Sequence, residues 1–312
     1  MAVDTSVVIC AHDARRWANL GQAVASVVRQ SRAPREVVVV IDHNAELLER
    51  ARRELDSATV VENRESRGLG GARNSGVAAA SGEIVAFLDD DAVASEDWLQ
   101  TLAAGYDDPA VAGVGGSIEP IWESGRPAWF PEEFDWVVGC TFTGMPRQRG
   151  EVRNLIGCNM SFRRELLEAL GCFRLGYGCD ETEFCIRLRQ RWPEKSLVYA
   201  PEARVFHSVP AERVSFRNFL SRCYFEGGSK AVVTRLAGRQ DALASERTYT
   251  RETLPAGLAQ ALADFCAGDR SGIARAGAIS GGLAATTAGY LTGLLMVQRS
   301  ARRRGWSGSD IR

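Results

Sequence analysis

Three consecutive carboxylates, Asp89, Asp90 and Asp91, end the apolar run "EIVAFL" within the stretch "GEIVAFLDDDA". Side by side these charges repel one another, so solvent or a cation must neutralise them. A bound divalent ion would do so; the plainer alternative is that the acids end a strand and cap the next helix. A second acidic cluster lies in "GYGCDETEF". There Asp180 and Glu183, ahead of the apolar "FCIRL", have the spacing of a capping box. Glu181 is left over, a carboxylate available for proton transfer. His207, in "RVFHSV", is a lone imidazole at the end of an apolar run, a setting more often that of a satisfied core or surface residue.

The elements that must position these groups read as alternating strands and helices. "SVVICA" (Ser6 to Ala11), "EVVVVI" (Glu36 to Ile41), "TVV" (Thr59 to Val61) and "EIVAFL" (Glu83 to Leu88) are runs of the buried-strand type. Between them Leu20, Val24, Val27 and Val28, then Leu47, Leu48, Ala51 and Leu55, then Ala72 to Ala80 recur at helical spacing. This alternation predicts an α/β fold with a parallel sheet covered by helices. Ligands of such sheets bind at the carboxyl ends of the strands, where His12 and Asp13, Asp42, and Asp89 to Asp91 fall.

Composition narrows the classes. With 312 residues, 45% of them apolar, the chain can form one large α/β domain and an accessory segment. The 38 basic and 39 acidic side chains leave no basic excess for a nucleic-acid partner. The cysteines contain no CxxC pair, so zinc is not expected, and the N-terminus enters a strand without a leader segment, which predicts reduced thiols in the cytoplasm. A nicotinamide-binding domain needs a glycine-rich turn after its first strand, but "CAHDARRW" follows here. "DDDAV" fits the nucleophile motif of haloacid-dehalogenase-like phosphatases, yet neither lysine, Lys195 or Lys230, has the paired carboxylate that such enzymes place downstream.

Four separated stretches account for more of the chain: "VVICAHDARRWANLGQAVASVVRQSRAPREVVVVIDHN", "RGLGGARNSGVAAASGEIVAFLDDDAVASEDWL", "IGCNMSFRRELLEALGCFRLGYGCDETEFCIRLRQR" and "VYAPEARVFH". In order and spacing, over about residues 4 to 240, they resemble the family 2 glycosyltransferases of the GT-A fold. The resemblance implies a Rossmann-like nucleotide-sugar-binding mixed sheet covered by helices, and an inverting hexosyltransferase that uses a nucleoside-diphosphate sugar, a UDP-sugar being the expected donor, with Mn²⁺ or Mg²⁺. It implies that Asp91 ligates the metal with Asp89 and His207, while Asp89 and Asp90 also hold metal-bound water, ribose or sugar. Asp42 takes the place of the base-recognising acid, and Ala11, His12, Asp13 and Arg15 form the loop around the nucleotide. "CAHD" and "IDHN" depart from the usual family loops, so the base that is read stays open, and His12 and His43 fit equally well as solvated loop residues.

Gly71 and Arg73 would approach the donor, or belong to a plain helix-opening loop. Glu181 matches the general base that takes the acceptor hydroxyl's proton, with Asp180 in reserve because the usual acidic pair is reversed in order. Trp129, in an aromatic loop, and Asn159 are the expected acceptor-side residues. The implied organisation is a catalytic domain over residues 1–210, with a donor half to about 118 and an acceptor half from about 119, followed by a helical region over 211–312.

That C-terminal region raises the question of the acceptor. "RVSFRNFLSRCYFEGGSKAVVTRL" places Phe216, Phe219, Leu220 and Tyr224 among basic residues, as in a helix lying on an anionic membrane. Ala276 to Gln298 carries no charge and precedes Arg299, Arg302, Arg303 and Arg304, but its glycines and threonines make it weakly apolar for a span. The expectation is peripheral attachment at the cytoplasmic face of the membrane and a glycan or lipid-linked acceptor. The alternatives are a helix closing the acceptor cleft or one joining two copies in a homo-oligomer. A non-catalytic nucleotide-sugar-binding subunit of a membrane assembly is the competing functional reading.

Overall fold

The structure is a computed structural model describing residues 3–174, 179–238 and 244–303. The chain divides into two compact units. The first comprises Met1–Glu119, Pro146–Gly176 and Asp180–Ser208. Its strands are β1 (Thr5–Ala11), β2 (Glu36–Ile41), β3 (Thr59–Glu62), β4 (Ile84–Asp89), β5 (Ala92–Ala94), β6 (Val111–Trp122), β7 (Gly150–Glu151), β8 (Asn159–Arg163) and β9 (Ser196–Val209), the last residues of β6 and β9 entering the second unit. Its helices are α1 (Trp17–Val28), α2 (Ala45–Glu54), α3 (Leu69–Ala79), α4 (Trp98–Ala103), α5 (Arg164–Ala169) and α6 (Asp180–Arg191).

The strands form one sheet in the order β3-β2-β1-β4-β8-β6-β9-β5, with β7 beside β9. The valine-rich strands β1, β2 and β4 are parallel neighbours and almost wholly buried, as strands covered on both faces must be. The parallel half ends at β4: β8 pairs antiparallel with both β4 and β6, and β5 antiparallel with β9. The sheet is therefore mixed.

Helix α1 buries Leu20, Ala23, Val24 and Val27 on one stripe. Asn44 caps α2 by accepting from Leu47 N at 3.1 Å. Helix α3 opens after Gly68, whose φ of 125° suits glycine. It packs so close to the sheet that a Cβ on Gly76 would stand 2.3 Å from Val8 Cγ1. Below the antiparallel half, Phe162 and Phe184 meet at 5.0 Å and Phe87 and Phe173 at 5.5 Å, both edge to face.

The second unit comprises Pro120–Met145, Tyr177–Cys179 and Val209–Arg312. Its helices are α7 (Phe216–Ala237), α8 (Ala244–Thr248), α9 (Leu254–Cys266) and α10 (Ser271–Arg303), with a π-helical turn at Tyr249–Thr253. Residues 120–145, read from sequence as the start of the acceptor half, group with these helices instead. The reason is aromatic packing. Phe219 is fully buried, its ring 5.4 Å from Phe130, 5.2 Å from Phe134 and 5.6 Å from Trp129. This corrects the expectation that Phe219 faces lipid.

The uncharged stretch of α10 also has an internal role. Its small residues let α7 approach backbone to backbone: a Cβ on Gly289 would lie 1.9 Å from Tyr224 O, and one on Gly227 2.0 Å from Thr286 O. Among the described residues no helix is long and apolar enough to cross a membrane. Because the obstructing atoms at Gly289 are backbone, Gly289→Val should lower the denaturant midpoint by the equivalent of about 1–3 kcal/mol or more. Gly277→Ala, which meets nothing within 4 Å, should leave the midpoint unchanged or raise it.

Candidate active site

Parallel register brings three strand ends together in the first unit. Cys10 in β1 pairs with Asp89 in β4, and Ala11 pairs with Ile41 in β2, whose next residue is Asp42. Antiparallel register supplies the other side: β8 sets Asn159 opposite Leu88, and β9 sets His207 opposite Ala92. Ser208 N donates to Asp91 O at 2.9 Å, fixing the turn between β4 and β5 against β9.

The three acids have different surroundings. Asp91 is buried; its Oδ1 lies 3.1 Å from His207 Nε2 and its Oδ2 lies 3.0 Å from Arg16 Nη1. Arg16 also donates to Asp90 Oδ1 at 3.0 Å. Asp90 Oδ2 is buried with no hydrogen-bond partner among the described residues. Burial above all, then the Asp91 charge, pushes the Asp90 carboxyl up to about 7. Asp89 is part exposed, and its Oδ1 lies 3.8 Å from Arg73 Nη2. The one buried carboxylate oxygen left without a donor among the described residues, Asp90 Oδ2, marks a place where a cation fits, and the oxygen and imidazole donors present suit Mn²⁺ or Mg²⁺. The Cys10 thiol beside them is pushed up to about 12, chiefly by burial, and stays protonated.

Arg16, rather than the expected Arg15, is the loop arginine that reaches the acids. The structure turns Arg15 outward, its side chain 90% exposed and paired with Asp13 at 2.7 Å. Hydrogen bonds from the Arg15 side chain and backbone hold the Asp13 carboxyl well below the ordinary range. Ala11 is buried and His12 exposed, with His12 O accepting from Asn44 Nδ2 at 2.9 Å.

Arg73 is 3% exposed and central. Its Nη2 donates to Gly157 O at 3.0 Å, and its Nη1 lies 3.6 Å from Glu181 Oε2. The glycine makes room for it, since a Cβ on residue 157 would stand 2.5 Å from Nη2. One guanidinium thus links Asp89 to Glu181. Asp180 and Glu181 open α6, both half-buried. Glu183, expected to cap this helix, is instead buried and engaged by Arg187 Nε at 2.9 Å and Arg174 Nη1 at 3.2 Å. The i, i+4 spacing of Glu183 and Arg187 was the sequence signal for that pairing.

Asp42 accepts from Asn63 Nδ2 at 2.6 Å and Gly68 N at 2.9 Å, with His43 Nδ1 2.8 Å away. Burial is the largest influence and favours the neutral form, but these hydrogen bonds together outweigh it and lower the carboxyl's pKa. Gly71 has a packing explanation, because a Cβ there would meet Ser66 O at 2.1 Å. Asn159 is fully buried, accepting from Trp98 Nε1 at 2.8 Å and donating to Ser117 O and Ala203 O at 2.9 and 2.7 Å. Those bonds make it a brace within the sheet rather than a wall of an acceptor pocket. Trp129 belongs to the second unit, half-buried against Phe130 and Phe216.

Comparison with known proteins agrees with this architecture. The sequence profile of Glycosyl transferase family 2 matches residues 6–171. The chain is 34% identical over 243 residues to the glucosyl-dolichyl phosphate glucuronosyltransferase of Haloferax volcanii, covering 74% of this chain and 77% of that one. It is 28% identical over 240 residues to the succinoglycan biosynthesis protein ExoM of Rhizobium meliloti, covering 74% and 72%. Among solved structures, the mannosyltransferase PcManGT from Pyrobaculum calidifontis, in complex with GDP-Man and Mn²⁺, superposes with a TM-score of 0.63 at 20% identity, covering 93% of this chain and 88% of that one. The chain belongs to glycosyl transferase family 2, has the GT-A fold, and is an enzyme of the hexosyltransferase type.

Proposed function

We propose that this glycosyltransferase moves a sugar from a nucleoside-diphosphate donor to a hydroxyl of a lipid-linked glycan, with inversion at the anomeric carbon and dependence on Mn²⁺ or Mg²⁺. The observation that carries the reading is the line Asp89, Arg73, Glu181, in which one buried guanidinium lies 3.8 Å from Asp89 Oδ1 and 3.6 Å from Glu181 Oε2. Asp91, Asp89 and His207 would hold the metal. Bound there, it would offset the negative charge that develops on the departing nucleoside diphosphate.

The chain's own groups do the rest. Glu181 accepts the proton of the attacking hydroxyl, and Arg73 holds that carboxylate toward the reaction centre. Three of the roughly four acceptor positions of the Asp42 carboxylate are in use, which leaves one for an N–H of the donor base. Arg16 keeps Asp90 and Asp91 in place before donor and metal arrive. The lipid-linked acceptor draws support from the Haloferax volcanii relative, whose name gives a glucosyl-dolichyl phosphate. A panel of nucleoside-diphosphate sugars with and without Mn²⁺, read by thermal stabilisation, tests the donor reading. One donor should stabilise the protein only with the metal; stabilisation that ignores the metal would count against it. The anomeric configuration of the product, read by NMR, tests inversion.

We further place the enzyme at the cytoplasmic face of the membrane, held peripherally. Gly289 and Gly293 of α10 contact α7, while Leu291 and Leu295, one turn apart on the other side, are 56% and 57% exposed beside Met296 at 62%. Burial of such side chains in the interface would combine with attraction of cationic side chains to anionic lipid. The protein should float with anionic liposomes, lose much of that binding at high salt, and lose most of the remainder on replacing Leu291 and Leu295 with Ser. Full solubility beside anionic liposomes at low salt would sink the membrane assignment.

A further inference from the structure

A sulfur donor lies beside two of the proposed cation ligands. A carboxylate oxygen of Asp89, Sγ of Cys158 and a ring nitrogen of His207 all lie within 4.8 Å of one another. Cys158 is 4% exposed and His207 3%. These residues come from three parts of the first unit, the end of β4, the approach to β8 and the end of β9, so their convergence is a product of the sheet and not of a local motif. Bonds of about 2.0–2.3 Å to nitrogen and sulfur put ligand atoms at most about 4.6 Å apart even on opposite sides of an ion. The cluster is close to that limit as it stands.

We propose that Cys158 is a thiolate ligand of this site, so that the site takes borderline and soft divalent cations, Co²⁺ and Zn²⁺, in preference to Mg²⁺. The proposal rests on reading Asp89 and His207 as cation ligands. Sulfur and imidazole donors favour later first-row ions over the hard alkaline-earth ion, which binds oxygen and gives up its water reluctantly. On binding, the Cys158 thiol releases its proton to solvent and the sulfur lone pair forms the bond to the metal; no oxidant or reductant is involved. The absence of a CxxC pair rules out a local zinc motif, but not a thiolate delivered by strand register. A buried cysteine acting as a small apolar side chain is the alternative, and it predicts no sulfur in the coordination sphere.

The test is a Co²⁺ titration of the full chain without nucleotide, followed by optical absorption. A sulfur-to-cobalt charge-transfer band in the near ultraviolet should grow and saturate at one equivalent, and it should vanish in Cys158→Ser while the weaker visible bands of bound cobalt persist. In the same variant the preference for Zn²⁺ over Mg²⁺, measured by competition, should fall by on the order of tenfold or more. X-ray absorption on the zinc-loaded wild-type protein gives the same answer without any variant: one sulfur in the first shell supports the proposal, and oxygen and nitrogen alone overturn it. Cobalt that binds without the charge-transfer band, or a band that survives in Cys158→Ser, overturns the thiolate while leaving Asp89 and His207 as ligands. Failure of the wild-type protein to bind Co²⁺ at all overturns both.

Discussion

Glu181→Gln should lower turnover by on the order of a hundredfold or more while leaving donor affinity near that of the wild type. The amide keeps the volume and the polar contact toward Arg73, whose Nη1 lies 3.6 Å from the carboxylate, but it cannot accept a proton as the hydroxyl attacks. Calorimetry of donor binding with metal present, alongside product formation, separates this outcome from a general loss of folding. Should Asp180→Asn reproduce the effect and Glu181→Gln leave turnover intact, Asp180 is the base.

Asp91→Ala should abolish metal-dependent donor binding. Asp91 touches both His207 and Arg16, so the variant removes one proposed ligand and loosens the imidazole of another. The fold should survive, because Arg16 retains its bond to Asp90 and one fewer negative charge remains in a crowded cluster. Titration of free Mn²⁺ by electron paramagnetic resonance reads the loss directly, and circular dichroism checks the fold. Undiminished turnover with Mn²⁺ would remove Asp91 from the site.

Much of the parallel half could be read from the sequence. Runs such as "EVVVVI" can hardly be anything but buried strands, and acids that follow such runs must gather at one edge of a parallel sheet. The relations across the sheet were beyond reach for a physical reason: residues 73, 89, 157 and 181 share no local period, so nothing in their spacing announces that Arg73 would lie buried between Asp89 and Glu181. Cys158 was hidden in the same way. Arg15 and Arg16 part company because the 3₁₀ turn at Ala14–Arg16 sends adjacent side chains in different directions, and only Arg16 meets Asp90 and Asp91. Phe219 misled for another reason. An aromatic stripe on a helix looks the same whether it meets lipid or, as here, a loop some eighty to ninety residues earlier in the chain that carries Trp129, Phe130 and Phe134.

The fit of Arg73 over Gly157 has a consequence for descent. A methyl group on residue 157 would stand 2.5 Å from the guanidinium, so a lineage that acquires alanine there displaces the cation that joins Asp89 to Glu181. A lineage that first shortens residue 73 no longer needs the glycine. A side chain at 157 is costly only while residue 73 is arginine, so the order of the two changes matters. Among divergent descendants of this chain, arginine at 73 should occur only with glycine at 157, and chimaeras that combine that arginine with a larger residue at 157 should be inactive.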